Sequence, residues 1–141
     1  MNIFSSSPYS SRVLAAIRIV AGLLFMSYGT MKLFGWPPGL PPGMHIALFS
    51  KLGLAGVLET FGGLCIVLGL LTRPVAFILS GEMAVAYFTG HFPKSPFPTV
   101  NMGSPAILYC FLFFYLAFVG AGPWSLDRII AKGRTGLGRA P

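Results

Sequence analysis

The sequence predicts an all-α integral membrane protein, an antiparallel four-helix bundle, on three observations. Of its 141 residues, 55% are hydrophobic and 9% are charged, where a soluble domain carries about 25% charged residues. Apolar stretches recur at close to the twenty or so residues that cross a hydrocarbon core of about 30 Å. Between them stand short runs rich in proline, glycine, tryptophan and basic residues, the composition of membrane interfaces.

The first span, 13–34, reads VLAAIRIVAGLLFMSYGTMKLF and is about 33 Å long as a helix. Arg18, Gly22, Phe25, Gly29 and Lys32 are spaced four, three, four and three apart, so both cations and both glycines share one stripe. A cation at mid-bilayer costs at least about 2.5–3.5 kcal/mol. That stripe must face other helices, a polar cavity or an acidic partner. Residues 1–12 form a short polar segment. A signal peptide is excluded, because the span exceeds a secretory apolar region of about 7–15 residues, contains Arg18 and has no Ala-x-Ala after it.

In the loop GWPPGLPPGMHIALFSK, prolines and glycines bar a continuous helix and Trp36 suits the headgroup level. Its second half, 44–52, is expected as a short surface helix. The second span, 52–71, puts Gly56, Glu59, Thr60 and Gly63 on one face, a small-residue stripe holding one carboxylate. Thr72-Arg73-Pro74 is expected to make a tight turn, with Pro74 in the first turn of the next helix. The third span, 75–91, holds Glu82 near its middle and stops at Gly90 and Pro93. After a proline-rich loop, Ser104 as cap and Pro105 as first helical residue open the short aromatic fourth span, 105–120. Residues 123–141 should form an interfacial helix capped by Ser125 and stopped by Gly133, then a disordered basic tail.

Orientation follows from ten basic against three acidic residues. Four spans put both termini on one side, with Arg12, Arg73, Arg128, Lys132, Arg134 and Arg139; Lys51, Lys94 and Lys32 belong to the other. Both termini are therefore expected in the cytoplasm, and the chain in the inner (plasma) membrane. The same placement accounts for the net charge of +7 without nucleic acid, for which no groove-reading motif is present.

Counted from the helix ends, Arg18 and Glu82 lie about 8 and 12 Å deep, and Lys32 and Glu59 about 5 and 10 Å deep from the other side. Two ion pairs follow, Arg18 with Glu82 and Lys32 with Glu59; crossed pairing of Arg18 with Glu59 stays open. Such pairs either only hold helices together or line a functional pocket, since intramembrane ionisable residues mark functional sites. His91 is expected to meet Glu59, Lys32 or Asn101 at the outer mouth, or to serve as an interfacial anchor. The histidines and cysteines lack metal-ligand spacing, so no metal is expected. Cys65 and Cys110 lie too far apart in depth for a disulfide. The aromatic residues of the fourth helix, with Tyr87 and Phe88, form either a lipid-facing surface or a flat slot for a quinone or lipid, with Tyr87 and Tyr109 as ligand-binding candidates. There is no cofactor-binding motif, so electron transfer would need a cofactor or subunit from elsewhere.

The pieces RIVAGLLFMSYGTMKLFG, GVLETFGGLCIVLGLLTRPVA, MAVAYFTGHFP and NMGSPAILYCFLFFYLAFVGAGPWSLD together resemble the DoxX family of bacterial four-helix membrane proteins. The specific parts are Glu-x-x-Gly-Gly, Thr-Arg, Ala-Tyr-Phe-x-x-His and Gly-Pro-x-Ser-Leu-Asp. Family members often begin the fourth helix Asn-x-Gly-Glu, whereas Ser104 stands here at the acidic position. The resemblance implies an inner-membrane protein, with relatives described as a subunit of a thiosulfate:quinone oxidoreductase and as a partner in membrane-bound oxidative-stress complexes. It carries over Arg18, Lys32, Glu59, His91 and Asn101. The expected function is a membrane subunit of a redox or quinone-linked complex, an accessory to an oxidoreductase if it takes part in catalysis. The alternative is a carrier of a small solute or lipid, or a scaffold. The partners compatible with either are the bilayer, a redox subunit and a second copy of the chain.

Overall fold

The computed structural model describes residues 8–136, and its elements in that range are all helical. Helix α1 is Pro8–Phe34, opened by a proline whose missing N–H is harmless in a first turn. Helix α2, Lys51–Leu68, contains a π turn at Leu58–Gly62. Helix α3, Thr72–Lys94, passes into a π turn at Tyr87–His91 and a 3-10 turn at Phe92–Lys94. Helix α4 is Ser104–Val119 and α5 is Leu126–Gly136. The expected N-terminal segment as far as residue 7, and the basic tail from residue 137, lie outside the described residues.

Several boundaries differ from those the sequence suggests, each for a local reason. Residues 44–50 form no helix; α2 starts at Lys51 because the Ser50 hydroxyl accepts from Gly53 N at 3.1 Å, a side-chain cap. The helix ends at Leu68 because Gly69 is left-handed, at φ +65°, and Leu70 N donates back to Cys65 O at 2.9 Å. A Cβ at Gly69 would also lie 2.5 Å from Ser125 Cβ. The turn is therefore Gly69-Leu70-Leu71, and Thr72-Arg73-Pro74 is already helical. Gly90 and Pro93 do not stop α3, which loosens and then tightens its winding to reach Lys94. Gly103, not Ser104, is the cap of α4. Ser125 does cap α5, accepting from Arg128 N at 3.3 Å, and the helix continues past Gly133.

Helix α1 packs along all of α2, and α3 along α4. The first contact is made by backbones. A Cβ on Gly22 would lie 2.9 Å from Val67 N, one on Gly63 would lie 2.9 Å from Met26 N, and one on Gly29 would overlap Thr60 N. Small residues on both helices permit that approach, which is how helices associate where apolar burial gives no driving force. The core of Phe25, Ile66, Ala76, Leu79, Met83, Ala106, Phe113 and Leu116 joins the two helix pairs. Phe25 bridges to α4, its ring 4.8 Å from Phe113 and 5.1 Å from Tyr109.

The outer surface reverses that of a soluble protein. Val20, Leu24, Phe77, Val85, Leu108, Phe111 and Phe118 are each more than half exposed, while Arg18 and Glu59 are buried. Three helices, α1 to α3, are long and apolar enough to cross a membrane, with α4 a shorter apolar helix. An apolar surface this extensive is suited to acyl chains. Gly29→Ala is expected to destabilise the fold by about 1–3 kcal/mol through overpacking. Gly81→Ala, with nothing within 4 Å of the added carbon, should change little. Thermal midpoints of the detergent-solubilised proteins check the contrast.

Candidate functional site

The charged stripe of α1 is answered at its two ends in two different ways. At one end, Lys32 Nζ donates to both oxygens of Glu59, at 2.5 and 2.7 Å. Glu59 is 3% exposed and sits in the π turn of α2. That wider turn buries Glu59 and Thr60 together, and π turns of this kind recur at functional sites. Gly56 clears the approach, since a Cβ there would press on Lys32 Cβ at 3.1 Å. A carboxylate holding an ammonium through both oxygens is a strong charge-assisted contact where water is scarce.

At the other end Arg18, 0% exposed, hydrogen-bonds to no carboxylate among the described residues, Asp127 acting on it only at longer range. Its Nε donates to Ala121 O at 3.0 Å, Nη1 to Val67 O at 2.6 Å and also to Ile66 O, and Nη2 to Trp124 O at 2.8 Å. Ile66 and Val67 belong to the last turn of α2, whose carbonyls carry the negative end of the helix dipole; Ile66 O also accepts from Gly69 N at 3.2 Å. The expected pairing of Arg18 with Glu82 is therefore incorrect, as is the crossed pairing with Glu59. Matching depths placed Arg18 and Glu82 at one level, but the glycine-lined contact turns the arginine toward the C-terminus of α2. Asp127 completes this end: its carboxylate accepts from Leu71 N at 2.7 Å and Thr72 N at 2.9 Å. It thus caps α3 while lying in the first turn of its own helix, α5.

Around the Lys32–Glu59 pair opens a cavity of about 510 Å³. Phe25, Tyr28 and Lys32 of α1, Glu59 of α2, Met83, Ala86, His91 and Lys94 of α3, the loop residues Val100 to Met102, and Pro105, Ala106 and Tyr109 of α4 line it. His91 Nδ1 bonds Asn101 O at 3.0 Å. Because a carbonyl only accepts, Nδ1 carries the hydrogen of this bond. Asn101, 4% exposed, uses both ends of its side-chain amide on the loop. Its Nδ2 donates to Ser95 O at 2.8 Å and its Oδ1 accepts from Gly103 N at 2.7 Å. Tyr87 stands outside the lining and stacks on His91 at 6.5 Å between ring centroids. Its ring also meets the loop: a Cβ on Gly103 would come within 2.7 Å of it.

Beside this cavity runs an apolar groove of about 590 Å³ between α1 and α4, walled by Ile17, Val20, Leu24, Leu108 and Leu112 among others. Tyr28, Pro105 and Tyr109 line both spaces, and the two tyrosine rings lie 6.4 Å apart, edge to face. Sequence reading overlooked Tyr28 and Lys94 as lining residues. Tyr28 precedes Lys32 by one helical turn, so the stripe itself pointed to it. Lys94 became visible only when α3 continued past its proline. Ser104, at the position where members of the resembled family often carry an acid, is not among the lining residues. Among the described residues no group of three potential metal ligands occurs, and both cysteines are free thiols.

Apolar helices enclosing buried charges define a helical membrane protein. The model of the DoxX family matches residues 13–92, more than half of the chain, and the chain belongs to that family. It is 42% identical over 127 residues to an uncharacterized protein of Haemophilus influenzae, covering 88% of this chain and 95% of that one. It is 32% identical over 141 residues to an uncharacterized membrane protein of Mycobacterium tuberculosis, with 86% and 83% covered. No solved structure matches it.

Arg18→Lys is expected to lower stability by about 1–3 kcal/mol, because an ammonium lacks the planar fork and leaves a carbonyl unpaired. Asp127→Ala should cost about 1–2 kcal/mol as a lost helix cap. Thermal midpoints in detergent, compared with the parent chain, measure both.

Proposed function

We propose that this DoxX protein stands in the inner membrane as four antiparallel spans with both termini cytoplasmic. There it serves as the membrane subunit of a redox complex by binding a quinone-type amphiphile at the seam of α1 and α4. The orientation is supported by the gathering of Arg12, Arg73, Arg128 and Lys132 toward one set of helix ends. The observation that carries the binding reading is the junction of two unlike spaces. A cavity holding Lys32, Glu59, His91 and Lys94 lies beside an apolar groove, and Tyr28, Pro105 and Tyr109 line both. A quinone has that division of character. Its carbonyl oxygens need donors, which the Lys32 and Lys94 ammonium groups supply, and its ring suits aromatic walls such as Tyr28 and Tyr109. Its isoprenoid tail fits a groove lined by aliphatic side chains. In this reading the chain holds and orients the acceptor, and a partner subunit delivers the electrons.

Gentle extraction of the full chain, followed by mass spectrometry of its organic extract, tests the reading. A quinone recovered in stoichiometric amount supports it. A phospholipid or another solute in its place makes the protein a carrier. Recovery of neither, with a partner protein retained, makes it a scaffold. Leu108→Trp crowds the groove from a residue that is 71% exposed, outside the core. It should lower the quinone recovered about tenfold, equivalent to about 1.4 kcal/mol, while leaving the folded amount unchanged.

A further inference from the structure

Glu82 is the acid of the spans that neither cation serves. Both of its carboxylate oxygens are buried, and neither has a hydrogen-bond partner among the described residues. Lys32 is engaged with both oxygens of Glu59, and Arg18 directs its guanidinium to four carbonyls. The elements packed around α3 offer no other cation at this depth. Helix α4 has no charged residue from Ser104 to Val119; its titratable groups are Tyr109, Cys110 and Tyr115, and Cys110 Sγ lies 3.6 Å from Ser80 Oγ. Helix α2 presents Glu59 and Cys65, and α1 presents Lys32 and Tyr28. On α3 itself, His91 is bonded to Asn101 O, and Lys94 lies at the end of the helix, on the cavity wall. The charges acting on Glu82 are those of Glu59 and Lys32, a pair that already sums to zero.

An ionised Glu82 would thus be an uncompensated negative charge in the bundle, which burial strongly disfavours. We infer that Glu82 is a proton-binding site: a neutral carboxylic acid in the resting protein, it forms with Lys32 and Glu59 a set that stores one exchangeable proton beside the cavity. One ammonium and one proton neutralise two carboxylates. This inference does not depend on whether the amphiphile proposed above is a quinone.

Infrared difference spectroscopy of the full chain in lipid vesicles, in light and heavy water, tests it. At neutral pH the parent protein is expected to show a protonated-carboxyl stretch that shifts on deuteration. The band should be lost in Glu82→Gln, whose amide resembles the neutral acid in shape. If that variant fails to accumulate, Glu82→Asp makes the same assignment by moving the band. Glu59→Gln frees Lys32 for Glu82 and should diminish the band. A parent protein without the band, a band that survives Glu82→Gln, or one untouched by heavy water overturns the inference. So does a band that appears only when sodium is removed, which would make Glu82 a ligand for a metal cation.

Discussion

The contact on which the rest of the structure depends is the close approach of α1 to α2, where backbone meets backbone at Gly22, Gly29, Thr60 and Gly63. Two apolar helices in lipid gain little from hiding apolar surface from each other. What holds them must be short-range packing and polar contacts, and both require small residues at the seam. The same seam carries Arg18 and Lys32, so its geometry decides what each cation can touch. Had the helices stood farther apart, Lys32 could not have held both oxygens of Glu59 at its present distance, and Arg18 would not reach the last carbonyls of α2.

The two cations show alternative solutions to one problem. Lys32 is neutralised by a carboxylate and remains at the wall of a cavity, 18% exposed at its side chain. Arg18 is solvated by oriented carbonyl dipoles, with the Asp127 carboxylate nearby, and is wholly buried. A guanidinium suits the second task because its donors diverge in a plane and can meet four acceptors from two segments. The consequence is a division of labour along one helix. The Arg18 end ties α1, the end of α2 and the segment before α5 into one unit, with Asp127 clamping the start of α3. The Lys32 end leaves charged groups facing an open space, where a ligand can use them.

That open space gains meaning from its neighbour. Tyr28 and Tyr109 separate a cavity lined by charge from a groove lined by aliphatic side chains. His91 is bonded to Asn101 O, and the Asn101 amide holds the loop it folds, so the Asn and His motif pieces meet through the backbone. The Thr-Arg and Ser-Leu-Asp pieces likewise meet, since Asp127 accepts from Thr72 N.

Much of this was legible in the residues. Segment lengths and apolar composition determined the helices, because a chain in lipid must satisfy its backbone internally. The four-three spacing on α1 determined that Arg18, Gly22, Gly29 and Lys32 share a face. The small residues of the second span showed where that face could dock, and the glutamate among them where Lys32 would find its partner. Sequence alone could not say how the helices are rotated about one another, and depth is silent on rotation. The tertiary structure therefore decided that Arg18 turns to carbonyls, that Glu82 is left without a cation, and that Asp127 caps a helix other than its own. It also decided that the charged cavity and an apolar groove share the walls of Tyr28, Pro105 and Tyr109. Each of these is a contact between segments distant in the chain, set by side-chain direction and close packing, to which periodicity within a single helix is blind.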